Sequence, residues 1–238
     1  MTSSPGPESL DHARFAVVDV ETTGARAERG GRVLELAVAI LEGGTIHLAF
    51  EALLDPGTPI PLWVTRLTGI TDGMLAGRPR FEDVVTGLGR ALDAAVFVAH
   101  NARFDWRFLS AEYALAGVPA LGGKPLCTVR LSRRLAPELR HRGLDHVAAY
   151  FGVENPARHR AFGDALATAQ VLRALIGRAR ERGVETLEQL IEVHDRPRHK
   201  KDNVRNAECG VRSVNGDVEG PPISHANSVF RTPHSALE

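Results

Sequence analysis

The sequence predicts an α/β domain, a sheet with helices on its faces. Short apolar, β-branched runs alternate with segments whose apolar residues recur at helical spacing. At 238 residues the chain is long enough for one such domain and an appendage. A hydrophobic fraction of 43% and a charged fraction of 24% suit a soluble globular protein. No run reaches the roughly 18 apolar residues that a membrane span requires.

The elements follow in order. The opening residues have neither the basic nor the apolar region of a signal peptide, so residues 1–12 are expected to form a loose arm. Arg14-Phe-Ala-Val-Val-Asp-Val-Glu-Thr-Thr-Gly24 reads as an apolar strand that stops at Thr-Thr-Gly. Arg32 to Leu41 and Thr45 to Leu54 read as two more strands joined at Gly43-Gly44, with Glu35 and Phe50 as ordinary strand decoration. Prolines and a glycine make Asp55 to Pro61 a loop. Phe81 to Leu92 has helical spacing, and Ala95 to Ala99 is a short strand. His100-Asn101 then leads into a helix from about Phe104 to Ala116. Helices are expected over Leu144 to Phe151 and Ala161 to Arg180, with a short terminal one over Thr186 to Val193. The domain therefore spans residues 13–194, and a disordered tail is expected over 195–238, where periodicity collapses.

A formal net charge of zero argues against a protein that grips duplex DNA through a broad basic face. It leaves room for an enzyme that holds a few nucleotides at one strand end. Arg130, Arg133, Arg134, Arg140 and Arg142 cluster locally and read equally as a solvated helix face or a nucleic-acid track. Cys127 and Cys209 give no metal or disulfide spacing, which fits a reduced cytoplasmic setting.

Candidate chemistry begins with Asp19 and Glu21. At positions i and i+2 of a strand their carboxylates point the same way and repel unless a cation sits between them. The triplet alone carries little, since Asp217-Val-Glu219 repeats it in a stretch with no strand character. Asp105 falls in the first turn of a helix that follows a strand's carboxyl end, where ligands gather in α/β sheets. The helix dipole also favours an acid there. Asp164 lies near the start of the long helix, and His159 lies five residues before it. Five residues of helix rotate roughly 140°, so both serve one site only if His159 is offered from the preceding loop.

In that order these residues resemble the DEDDh 3′–5′ exonucleases, typified by the proofreading epsilon subunit of bacterial DNA polymerase III. The first motif of that family matches Asp19-Val-Glu-Thr-Thr-Gly24, the second Ala99-His-Asn-Ala-Arg-Phe-Asp105, and the third His159 to Asp164. Leu67-Thr-Gly-Ile-Thr-Asp72 and Cys127-Thr-Val-Arg-Leu-Ser-Arg133 are family-like as well, so the resemblance runs over roughly residues 13 to 180. One departure is Thr68, where relatives often carry histidine, and it bears on contacts to the terminal nucleotide.

The resemblance implies an RNase H-like fold, a mixed sheet flanked by helices. It also implies two divalent ions, Mg²⁺ or Mn²⁺, held by Asp19, Glu21, Asp105 and Asp164. Asp19 would bridge the two, Glu21 and Asp164 would complete one site, and Asp105 would serve the other. His159 would be the general base on the attacking water, a role that an imidazole commonly fills at neutral pH. Thr22, Thr23 and Gly24 would contact the terminal nucleotide, with Asn101 and Phe104 lining the same pocket. Read from the residues alone, Asn101 is equally a helix cap and Phe104 a core residue.

The expected reaction is metal-dependent release of 5′-mononucleotides from a single-stranded or frayed 3′ end, in proofreading or repair. DNA is the expected substrate over RNA, because Asn-Ala-Arg-Phe-Asp resembles the DNA-proofreading branch. A DNA polymerase is a candidate partner. Two rival readings remain at this level: an RNA-trimming exoribonuclease of the same fold, and a nuclease-like binding subunit that has lost catalysis.

Overall fold

The computed structural model describes residues 8–197. The expected tail falls almost wholly outside the described residues, together with Cys209 and Asp217-Val-Glu219.

Five strands form one mixed sheet in the order β3-β2-β1-β4-β5. They are β1 (Phe15–Thr22), β2 (Val33–Glu42), β3 (Thr45–Leu53), β4 (Val96–Ala99) and β5 (Leu126–Cys127). The first three form an antiparallel meander, and β4 and β5 join it in parallel. Eight α-helices accompany the sheet among the described residues: α1 (Leu62–Thr68), α2 (Asp72–Leu75), α3 (Phe81–Leu92), α4 (Arg103–Leu115), α5 (Thr128–Leu135), α6 (Leu144–Tyr150), α7 (Ala161–Arg180) and α8 (Leu187–Asp195). No helix among the described residues is long and apolar enough to cross a membrane.

The alternation of β1 sorts its side chains between two cores. Phe15 and Val17 pack with α7, while Ala16, Val18 and Val20 pack with α3 and α4. Small residues on α7 (Ala161, Ala165 and Ala169) let that helix lie close against β1 and β2. Because helices cover both faces, β2 is buried continuously from Val33 to Leu41.

Four elements are absent from the sequence reading. Helices α1 and α2 are short, α1 directly after Pro61, β5 has only two residues, and α5 begins directly where β5 ends. The expected loose arm differs from the structure over residues 8–12. Leu10 is buried, its amide donates to Glu185 O at 3.0 Å, and Ser9 bridges to Thr186 just before α8. Residues 1–7 lie outside the described residues.

Candidate active site

Asp19 and Glu21 occupy the carboxyl-terminal half of β1, on the side that faces α7. Each remains partly exposed, as does Asp164 in the first turn of α7. One carboxylate oxygen from each of the three lies within 4.8 Å of the others. Two strand residues and one helix residue, more than 140 positions apart in sequence, are thereby brought to one point.

Asp105 reaches the group from the opposite flank. Pairing of β1 with β4 stops at Val17↔Val98, after which β4 turns away into α4. The β1 edge beyond Val17 therefore has amides free on that side, and the Val20 N–H donates to the Asp105 carboxylate. Burial raises the Asp105 pKa to about 8, with Glu21 adding to the rise and the amides of Asp105 and Val20 opposing it. Glu21 is pushed up to about 7 by burial first, then by the charges of Asp164 and Glu35, with Arg160 pulling the other way. Asp19 is held well above the usual carboxylate range by burial and by Asp105, Asp164, Glu21 and Glu35. Asp164 is also raised by burial, against a hydrogen bond from Asn155 and the nearby His159. Four carboxylates that all hold their protons more tightly than usual, Asp19 and Glu21 in part because of the others' charges, form a site short of positive charge. With only carboxylate oxygens to offer, the site suits hard divalent ions such as Mg²⁺ or Mn²⁺.

His159 sits in the loop before α7, as the rotation argument requires, with a left-handed backbone at φ 56°. A non-glycine residue in that region is uncommon, and it turns the chain sharply between Arg158 and Arg160. Its loop is keyed to the helix at Gly163. A Cβ there would meet Ala157 O at 2.2 Å, so only glycine permits the approach. Asn155 anchors the same loop by donating to Asp164 Oδ1, while its own Oδ1 accepts from the Ala157 amide at 3.2 Å.

The expected substrate residues divide. The Thr22 hydroxyl donates to Gly24 O at 2.7 Å, and Thr23 Oγ1 accepts from the Arg32 amide at 2.9 Å. Both hydroxyls thus already serve the turn, whereas Gly24 faces open space. Asn101 takes a left-handed conformation at φ 67° in the turn between β4 and α4, and it is exposed. Phe104 is half-buried and packs on Phe108, with ring centroids 4.8 Å apart. Thr68 spends its hydroxyl within α1, donating to Val64 O at 3.0 Å and accepting from Ile70 N at 3.1 Å. His100 stands apart from the acids: its ring nitrogens bond Thr128 Oγ1 and Arg142 O, each at 2.8 Å.

Sequence reasoning missed two residues. Glu35, read as strand decoration, is wholly buried and lies opposite Glu21 in the β1–β2 register. It accepts Arg160 Nε and Nη2 at 3.0 and 2.6 Å and the Ala161 amide at 2.8 Å. The pair fixes the first turn of α7, and with it the positions of His159 and Asp164. A Glu in Leu-Glu-Leu carries no local sign of this, since its partner lies 125 residues away.

Comparison with known proteins agrees with the geometry. The RNase_T family model, described as an exonuclease, matches residues 16–172, well over half of the chain. The chain belongs to this exonuclease family. A stretch of 178 residues is 36% identical to a PolC-type DNA polymerase III of Halalkalibacterium halodurans, covering 75% of this chain and 12% of that protein. The 3′-5′ exonuclease DinG of Bacillus subtilis is 33% identical over 181 residues, covering 76% of this chain and 19% of that protein. The chain thus spans less than a fifth of these curated relatives. Among solved structures, exonuclease X in complex with 5′-overhanging duplex DNA aligns with TM-score 0.60 and 28% identity, over 76% of this chain and 99% of that one. E. coli exonuclease I with a dT13 oligonucleotide, at 15% identity and TM-score 0.63, shares the fold. The mixed sheet flanked by helices is the RNase H-like arrangement of these exonucleases.

Proposed function

We propose that the chain is a metal-dependent 3′–5′ exonuclease domain that releases 5′-mononucleotides from a single-stranded or frayed 3′ DNA end. The observation that carries this reading is the convergence of Asp19, Glu21 and Asp164, with Asp105 behind them and His159 beside Asp164. Asp19, Glu21, Asp164 and Asp105 would hold two divalent ions, Mg²⁺ or Mn²⁺. When bound, such ions neutralise charge growing on the phosphate and ease deprotonation of the attacking water.

The chain's own residues supply the rest. His159 takes the proton of the attacking water, and its loop position lets it carry that proton to solvent. The new P–O bond forms as the 3′ oxygen of the penultimate nucleotide leaves. Backbone groups of the Thr22-Thr23-Gly24 turn approach the terminal nucleotide, with Asn101 and Phe104 beside it. An unpaired end fits at the carboxyl edge of β1 better than a duplex, so frayed mismatches are cut before paired ends. DNA as the substrate and service to a DNA polymerase are supported by the naming of the PolC-type relative, and a cytoplasmic setting by the two widely spaced cysteines.

The test is purified protein with Mg²⁺ on single-stranded DNA, duplex DNA with a 3′ mismatch, and single-stranded RNA, beside Asp164→Asn. Mononucleotide release from DNA by the wild type alone is expected. Equal release by both proteins would sink the assignment, and comparable rates on RNA would move the substrate to RNA.

A further inference from the structure

The turn that closes β1 runs directly into a basic concavity that the acid site does not use. Ala25, Arg26, Glu28, Arg29 and Arg107 line a hollow of about 470 Å³, large enough for a nucleotide-sized group. Three of these side chains are cationic and one is acidic. Glu28 is 3.5 Å from Arg107, a half-exposed pair. Arg26 and Arg29 have no acidic partner among the described residues. Arg107 Nε is buried without a hydrogen-bond partner. Unspent guanidinium donors of this kind match the oxygens of a phosphate.

Its position relates it to the strand end. Arg26 follows Glu21 by five residues, which limits their separation to about 18 Å. On α4, Arg107 lies one helical turn beyond Phe104 and two residues beyond Asp105. Gly31 holds the loop against that helix: a Cβ there would meet Arg26 O at 2.8 Å and the Phe108 ring at 3.0 Å. Phe108 packs in turn on Phe104, so the Gly31 contact ties the loop that carries Arg26 and Arg29 to the same helix that offers Phe104 and Arg107. The arginines singled out in the sequence are placed otherwise. Arg130 pairs with Asp195 at 3.4 Å, Arg134 donates to Arg196 O at 2.7 Å, and Arg142 donates to Ala136 O at 3.4 Å.

We propose that Arg26, Arg29 and Arg107 bind a phosphodiester of the substrate strand upstream of the scissile bond, so that the enzyme holds polymer rather than only its last nucleotide. The proposal rests on the exonuclease reading, and the experiment separates the two. Binding of a fluorescent dT20 oligonucleotide is measured against salt for the wild type, Arg26→Ala/Arg29→Ala and Arg107→Gln. Hydrolysis of the p-nitrophenyl ester of thymidine 5′-monophosphate, which has no upstream phosphate, reads the acid site alone.

The variants should bind dT20 roughly ten-fold more weakly at low salt, with the slope of log affinity against log salt shallower by about one. The ratio of dT20 to ester kcat/KM should fall in step. Unchanged dT20 binding, or equal losses on dT20 and ester, would overturn the proposal. Weaker inhibition by free thymidine 5′-monophosphate in the variants, with dT20 binding intact, would make the hollow a mononucleotide site and overturn it too. An inactive wild type that still shows the binding difference would remove the exonuclease reading and leave the phosphate site standing.

Discussion

Two sets of carboxylates, one buried and one mostly half-buried, lie within a few residues of each other, and the fold treats them in opposite ways. Glu35 and Glu112 are both at most 2% exposed, and each is met by a bidentate arginine and one backbone amide: Arg160 with Ala161, and Arg32 with Val33. Asp19, Glu21, Asp105 and Asp164 are instead crowded together, with amides and Asn155 as their main donors. Glu21 and Glu35 even face each other across the β1–β2 ladder. The difference separates acids that build the domain from the acids proposed to hold metal ions. A compensated carboxylate is structural, whereas an uncompensated group retains electrostatic energy that cation binding can release.

The largest expected effect comes from breaking the uncompensated set. Asp19→Asn or Asp164→Asn should abolish nuclease activity, read as mononucleotide release with Mg²⁺. The same substitutions should hold or raise the metal-free melting temperature, because each removes a repelling charge. A fall in both activity and stability would blur the distinction between the sets. His159→Ala should follow, with a loss on the order of 10² to 10⁴-fold in kcat and little change in melting temperature.

The compensated set should answer in the other order. Arg160→Met leaves Glu35 buried and unpaired, and should cost about 2–3 kcal/mol in denaturant unfolding once the partial exposure of Arg160 is allowed for. Activity should fall as well, since the pair holds the first turn of α7. Arg32→Met should lower stability similarly and activity less, because Glu112 steadies α4 rather than α7.

The smallest effect sharpens the comparison through pH. Glu21 near 7 and Asp105 near 8 both lie above ordinary carboxylate values. The folded, metal-free protein therefore holds more protons than the unfolded chain between about pH 4 and 8. Its stability should fall as pH rises through that window. Millimolar Mg²⁺ should flatten the fall in a thermal melt, by stabilising the ionised carboxylates. A melting temperature that rises from pH 5 to 8 without metal would contradict the assignment of these acids as uncompensated.

The two sets were also unequally legible in the sequence. Asp19, Glu21, Asp105, His159 and Asp164 stand where strands end and helices begin, positions that periodicity locates. Even the need for His159 to lie in a loop follows from helical rotation. Glu35 is hidden because β2 is covered on both faces, so alternation does not mark which of its residues is special. Its partner is set by tertiary packing alone. Helices α1, α2 and α5 escaped for local reasons: α1 starts directly behind Pro61 at the end of the proline loop, α2 has only four residues, and α5 begins where the two-residue β5 ends. The hollow at Arg26 and Arg107 likewise joins residues 81 positions apart through the glycine-tight packing at Gly31.

The contact between Gly163 and Ala157 bears on how activity is inferred from sequence. Gly163→Ala keeps every acid and the histidine, and alanine favours a helix more than glycine does. Yet its methyl group would push the 155–159 loop from α7 and part His159, the proposed proton carrier, from Asp164. A homologous chain could thus present an intact set of motif residues and be silent, and a motif search would count it among the living.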